Sequence, residues 1–141
     1  MCHHRRRARS GSRPVGSVAL LLLAAAVSSC GLCRNERVAE YPSTDGTAKV
    51  VVFERDCGAT TPFSTQASLV PVGVDAPSGM GNLFAADDNH GIAPDGPGGG
   101  PELRVRWIDA VHLELAYHVN VRVSRAETSL GLVRVSCTTF K

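Results

Sequence analysis

Between Leu103 and Tyr117 apolar and polar side chains alternate. Leu103, Val105 and Trp107 interleave with Arg104 and Arg106, and after a break at Asp109 the pattern resumes as Val111, Leu113, Leu115 and Tyr117. A period of two marks strands with one buried face, so the stretch predicts a β-hairpin. With its turn over Ile108 to Ala110, Trp107 faces Val111, Val105 faces Leu113, and Arg104 faces Glu114 on the wet side. Upstream, AKVVVFER (48–55) is a β-branched run too short for a helix and reads as a strand buried in its middle. TQASLVPVG (65–73) predicts a second strand, where Pro71 marks an end or an edge. NLFAA (82–86) predicts a short strand between loops rich in Gly and Pro. Downstream, NVRVSR and GLVRVSCTTF predict two more, and Val133, Val135 and Cys137 share one side of the pleat, which turns Cys137 inward.

No helical periodicity is sustained beyond residue 29. The pattern predicts a mostly β chain: a small antiparallel β-sheet domain, either a sandwich or an open barrel, of about six strands, the last four forming a C-terminal meander. PSTDG (42–46) is turn chemistry ahead of the first strand. APDGPGGGP (93–101) has little apolar content to offset the entropy of ordering, and predicts a mobile surface loop.

The N-terminus has another design. Arg5, Arg6, Arg7, Arg9 and Arg13 precede an uninterrupted apolar run of ten residues, Val18 to Val27, with no acid among them. This is the layout of an export signal over residues 1–29, and the run is half of the roughly 20 residues a membrane-spanning helix needs. VSSC (27–30) then resembles the lipobox of bacterial lipoproteins, and the resemblance implies a lipidated Cys30, palmitate among its acyl chains, as the mature N-terminus. Several acyl chains hold a protein stably on a membrane surface. The expected organisation is therefore a signal peptide (1–29), a lipidated tether (30–47) and one β domain (48–141). The alternative is a secreted or periplasmic soluble protein cut near Ala26 to Ser29.

Removing the signal reverses the charge. Ten Lys and Arg remain against thirteen Asp and Glu, a net −3, so the basicity that suggests nucleic acid belongs to the discarded segment. The remaining 112 residues suffice for a single core.

Three thiols are left, Cys33, Cys57 and Cys137, in a chain expected to meet oxidising chemistry. Cys33 to Cys57 is the preferred disulfide because Cys137 lies in phase with core valines; Cys57 to Cys137 is the alternative. A catalytic thiolate at Cys57 needs a base or positive field, and only Arg55 is near in sequence.

ADDNHG (86–91) gathers Asp87, Asp88 and His90, oxygen-rich enough to suggest a metal or ligand site, although the same residues build ordinary turns. GPGGG lacks the frame of a phosphate loop, and no zinc-type Cys pair lies in the mature domain.

The segment KVVVFERDCGATTPFSTQASLVP, with STDG before it and ADDNHG after, resembles a group of small, uncharacterised exported bacterial proteins. The likeness runs over most of residues 33–135, with Arg55 to Thr61 its specific part. Pro62 stands where the group has Gly, and Cys137 lies outside the pattern, which keeps the Cys57 to Cys137 pairing open. The resemblance implies fold and address, and no activity. The functional expectation is a membrane-tethered envelope lipoprotein acting as a binding or assembly module. Its expected partners are the membrane and other envelope proteins, with no nucleic acid, no cofactor and no catalytic residue assigned. The competing class is a thiol- or metal-dependent enzyme using Cys57 or the Asp87 to His90 loop.

Overall fold

The structure, a computed structural model, describes residues 33–75 and 77–141. The export signal and Cys30 lie outside the described residues. The chain runs through β1 (Arg34–Pro42), β2 (Ala48–Asp56), β3 (Ser64–Pro71), β4 (Phe84–Asp87), β5 (Leu103–Asp109), β6 (His112–His118), β7 (Arg122–Ala126), β8 (Ser129–Leu130) and β9 (Val133–Phe140). There is no helix among the described residues. One sheet has the order β1-β2-β3-β4-β7 and the other β5-β6-β9-β8, so the strands form two sheets and do not close into a barrel.

The core lies where the two sheets face each other. Val50 and Val52 on β2 and Ala67 on β3 point to the same side as Phe84 and Ala86 on β4, and meet Leu103, Leu113, Leu115 and Val135 of the second sheet. The Phe84 and Tyr117 rings lie 5.1 Å apart across this interface. At its edge the Trp107 indole N–H donates to the Tyr41 carbonyl at 3.0 Å, tying β5 to β1. The β1–β2 turn uses the residues expected of it: Asp45 accepts from the Ser43 and Thr47 hydroxyls, while Gly46 takes the left-handed conformation at φ 71°.

Four features depart from the sequence reading. Residues 34–42, expected in the tether, form β1, an edge strand whose charged residues Arg34, Glu36, Arg37 and Glu40 conceal its β character. The hairpin is two residues out of the expected register: Trp107 pairs with Leu113, Val105 with Leu115 and Arg106 with Glu114. The cause is Asp109, whose carboxylate accepts from the Val111 N–H at 2.8 Å and caps a turn centred one residue later, with a bulge at Ile108.

The last four strands are not a meander. β7 crosses to the first sheet beside β4, and β9 returns to lie parallel to β6, the one parallel pair among the described strands. Alternation fixes which face a strand buries but not its neighbour. Finally, Cys137 is exposed although it shares a pleat side with the buried Val135 and pairs with the buried Leu115 of β6.

Candidate binding cleft

Val50, Val52 and Glu54 occupy alternate positions of β2 and so point to the same side, toward the core. The first two meet apolar partners. Glu54, only 6% exposed, is the place where that apolar row ends in an acid. It faces Thr65 on β3 and, on its other flank, Glu36 on β1.

The loop read as mobile, residues 93–101, is a compact lid over this carboxyl. Its backbone closes on itself through Gly96 N–H to Gly100 O (2.6 Å) and Gly99 N–H to Gly96 O (3.1 Å), with a bridge between Asp95 and Pro101. The Gly100 N–H donates to Glu54 Oε1 at 2.9 Å, and the Thr65 hydroxyl lies 2.6 Å from Pro101 O. The glycines are required for space. A Cβ at Gly100 would stand 2.5 Å from Glu54 Oε1, and one at Gly98 2.5 Å from Val38 Cγ2. Val38 itself is placed there by a bulge in β1. Hydrogen bonds to Glu54 and from Thr65 thus supply the ordering energy that the loop's own side chains lack.

Glu54 separates two adjoining lobes of a cleft, each about 260 Å³. One is of mixed character, with Tyr41, Val52, Leu103 and Val105 beside Thr65, Glu102 and Arg104; the other opens past Glu36 and Arg37. Glu54 Oε2 is buried and has no partner among the described residues. Burial pushes the Glu54 carboxyl above the usual glutamate range; the bonds from Thr65 and Gly100 work against this, and the charges of Asp95 and Glu36 reinforce it. Proton counting agrees. The Thr65 hydroxyl has one hydrogen and two acceptors in reach, Pro101 O and, at 3.0 Å, Glu54 Oε1. A carbonyl only accepts, so with that hydrogen on Pro101 O the contact to Oε1 is satisfied when Glu54 holds a proton there.

The residues singled out from the sequence lie elsewhere. Cys33 and Cys57 form a disulfide with Cα atoms 4.1 Å apart, continuing the β1–β2 register one step beyond Arg34 and Asp56. Cross-linking this 24-residue separation is worth roughly 3 kcal/mol by chain entropy, and it leaves Cys57 no thiolate for catalysis. The alternative Cys57 to Cys137 pairing is not formed: Cys137 is a free thiol whose pKa is raised by local burial of the sulfur despite the residue's overall exposure. The disulfide suggests an oxidising, extracytoplasmic setting. Among the described residues no helix is long and apolar enough to cross a membrane.

Asp87, Asp88 and His90 do not converge. Asp87 is gripped by the Arg122 guanidinium of β7, Nη2 to Oδ2 at 2.6 Å, with Arg122 Nη1 also 3.3 Å from His90 Nε2. Burial works to raise the Asp87 carboxyl, but Arg122, the Asn89 N–H and the His90 charge together hold it below the usual aspartate range. Asn89, His90 and Gly91 follow in the left-handed conformation, which makes the segment a tight turn. Among the described residues no three His, Cys, Asp or Glu side chains gather as a metal-ligand set.

The sequence reading missed Glu54, Thr65 and the glycines above them. The available signal was an acid in phase with Val50 and Val52. Scanned against known protein families, curated proteins and solved structures, the chain finds no match.

Proposed function

We propose that this chain is an exported binding module, held on the envelope membrane through a lipidated Cys30, whose ligand occupies the Glu54 cleft. The observation that carries this reading is the buried Glu54 carboxyl with one oxygen unpartnered, set in the wall of a cleft. An acid buried without a full set of partners lowers stability, and beside a cavity it marks a place where a ligand can supply the missing donor. The export half is supported by the disulfide, the Arg-rich leader with its apolar run and the VSSC segment. The likeness to small exported bacterial proteins at Arg55 to Thr61 supports the same address. A thiol enzyme at Cys57 is disfavoured by the sulfur's bond to Cys33.

The two halves are tested separately. Intact mass of the membrane-extracted protein, with and without reductant, should show acylation at Cys30 and a gain of two hydrogens on reduction; a Cys30→Ala variant should leave the membrane fraction. An unacylated native chain removes the tether. For the site, a fragment set of small apolar molecules bearing one polar group should shift the amide resonances of Val38, Tyr41 and Val105 in the full chain. Shifts confined to the Asp87 to Gly91 turn would move the site there.

A further inference from the structure

The cleft also indicates the charge of its ligand, and the inference rests on the binding-module reading. Glu36 and Glu54 stand directly opposite each other on β1 and β2, a cross-strand pair of like charges, which costs stability in an antiparallel ladder. Asp95, on the lid, adds its field at Glu54. None of the three has a basic partner among the described residues. The nearby cations are otherwise engaged. Arg37, in the cleft wall, pairs with Glu40 at 3.1 Å; Arg104 pairs with Glu102 at 2.8 Å and stacks on Phe140. A group of acids facing an unpartnered buried oxygen asks for a cation that is also a hydrogen-bond donor.

A metal ion is a poor match, because these carboxylates do not converge as ligands. The neighbouring lobe favours an organic cation: Tyr41, Val52, Leu103 and Val105 offer an apolar and aromatic bed for a carbon stem, with Glu54 at its border. We propose that the cleft binds a small organic ammonium, its stem against Tyr41, Val52 and Leu103, Glu36 at the mouth, and its N–H donors on the Glu54 carboxyl, whose covered Oε2 they reach as Gly100 of the lid yields.

Binding is coupled to a proton. Below the raised Glu54 pKa the acid of the empty cleft is neutral and gives up its proton to solvent as the ammonium enters, leaving an ammonium–carboxylate pair. The charged groups facing Glu54 are Glu36 and Arg37 from β1, Asp95 from the lid, and the Glu102–Arg104 pair at the start of β5. Thr65 accommodates the change, because its hydroxyl can turn from Pro101 O to the newly ionised Oε1.

The test is isothermal titration of the full chain with phenethylammonium chloride, and with 2-phenylethanol as a neutral molecule of similar shape. The amine should bind with a heat that depends on the ionisation enthalpy of the buffer, reporting proton release. Its affinity should rise about tenfold per pH unit below the raised Glu54 pKa and level off above it. Glu54→Gln should weaken it by about tenfold or more. Glu36→Gln, an exposed change that spares the fold, should weaken it by a smaller factor. In the same titration Nα-acetyl-lysine amide separates a free amine from a partner's lysine side chain as the source. If 2-phenylethanol binds as tightly as the amine, or the acid variants leave the amine's affinity unchanged, the cation is wrong while the cleft remains a binding site. If no probe gives heat or resonance shifts at the cleft, both fall.

Discussion

Asp87 and Glu54 are both carboxylates near the end of a strand in the same sheet, and the structure treats them in opposite ways. Asp87 lies in a sequence cluster that looks chemical, yet Arg122 engages both its oxygens and the Asn89 N–H caps it, so its charge is stabilised and its pKa falls. Glu54 lies in a sequence that looks purely structural, yet it is buried, opposed by another acid and short of a donor, so its pKa rises. Density of polar residues in sequence signals a turn more often than a site. A site is better recognised by an unsatisfied polar group that also borders a cleft: Asp88 Oδ1, in that turn, is likewise buried without a partner among the described residues, but Asp88 lines neither lobe.

The largest expected effect comes from closing the space above Glu54. Gly100→Ala places a methyl group within 2.8 Å of both Glu54 carboxylate oxygens and of Thr65 Oγ1, and should cost about 2 kcal/mol in urea unfolding. Adding Glu54→Ala to that variant should recover much of the loss, because the two changes share one space. Additive losses would mean that the lid and the acid are independent.

A smaller effect, of opposite sign, is expected at the acid itself. Glu54 binds its proton more tightly folded than unfolded, so its contribution to stability is complete below its ordinary value of 4.5 and is lost as pH rises through the folded value. Glu54→Gln removes that dependence. Above the raised pKa it should be the more stable protein by about 1 kcal/mol, with the advantage disappearing toward pH 4.5. A variant less stable across the whole range would show that the carboxyl is fully satisfied in place. The smallest effect belongs to the other carboxylate. Asp87 contributes above its ordinary 3.8 and loses that contribution as pH falls through its lowered folded value, so Arg122→Ala should lower the urea midpoint slightly at neutral pH. That cost should shrink in acid and in high salt, and one insensitive to both would assign Arg122 a packing role.

What could be read from the chain was the identity of faces. The runs at 48–55 and 65–73 and the alternation after Leu103 became β2, β3, β5 and β6: β2 and β3, buried on both faces in their middles, were marked by continuous runs, and the one-sided burial of β5 and β6 by a period of two. Contacts between distant segments left no such trace. β1 was obscured by its charges, and the pairing of β9 with β6 depends on a crossover through the other sheet. The Cys33–Cys57 bond was legible because few thiols remained and export favours oxidation. The lid was misread for a definite reason: composition describes the glycines but not the carboxyl that holds them.

The position of β9 also bears on when the fold can form. This final strand is inserted between β6 and β8, in the interior of its sheet, so β6 keeps an open edge until residues 133–140 are delivered. A chain emerging N-terminus first therefore completes its second layer only once β9 is delivered. Removal of residues 133–141 would split that layer in two rather than trim its rim.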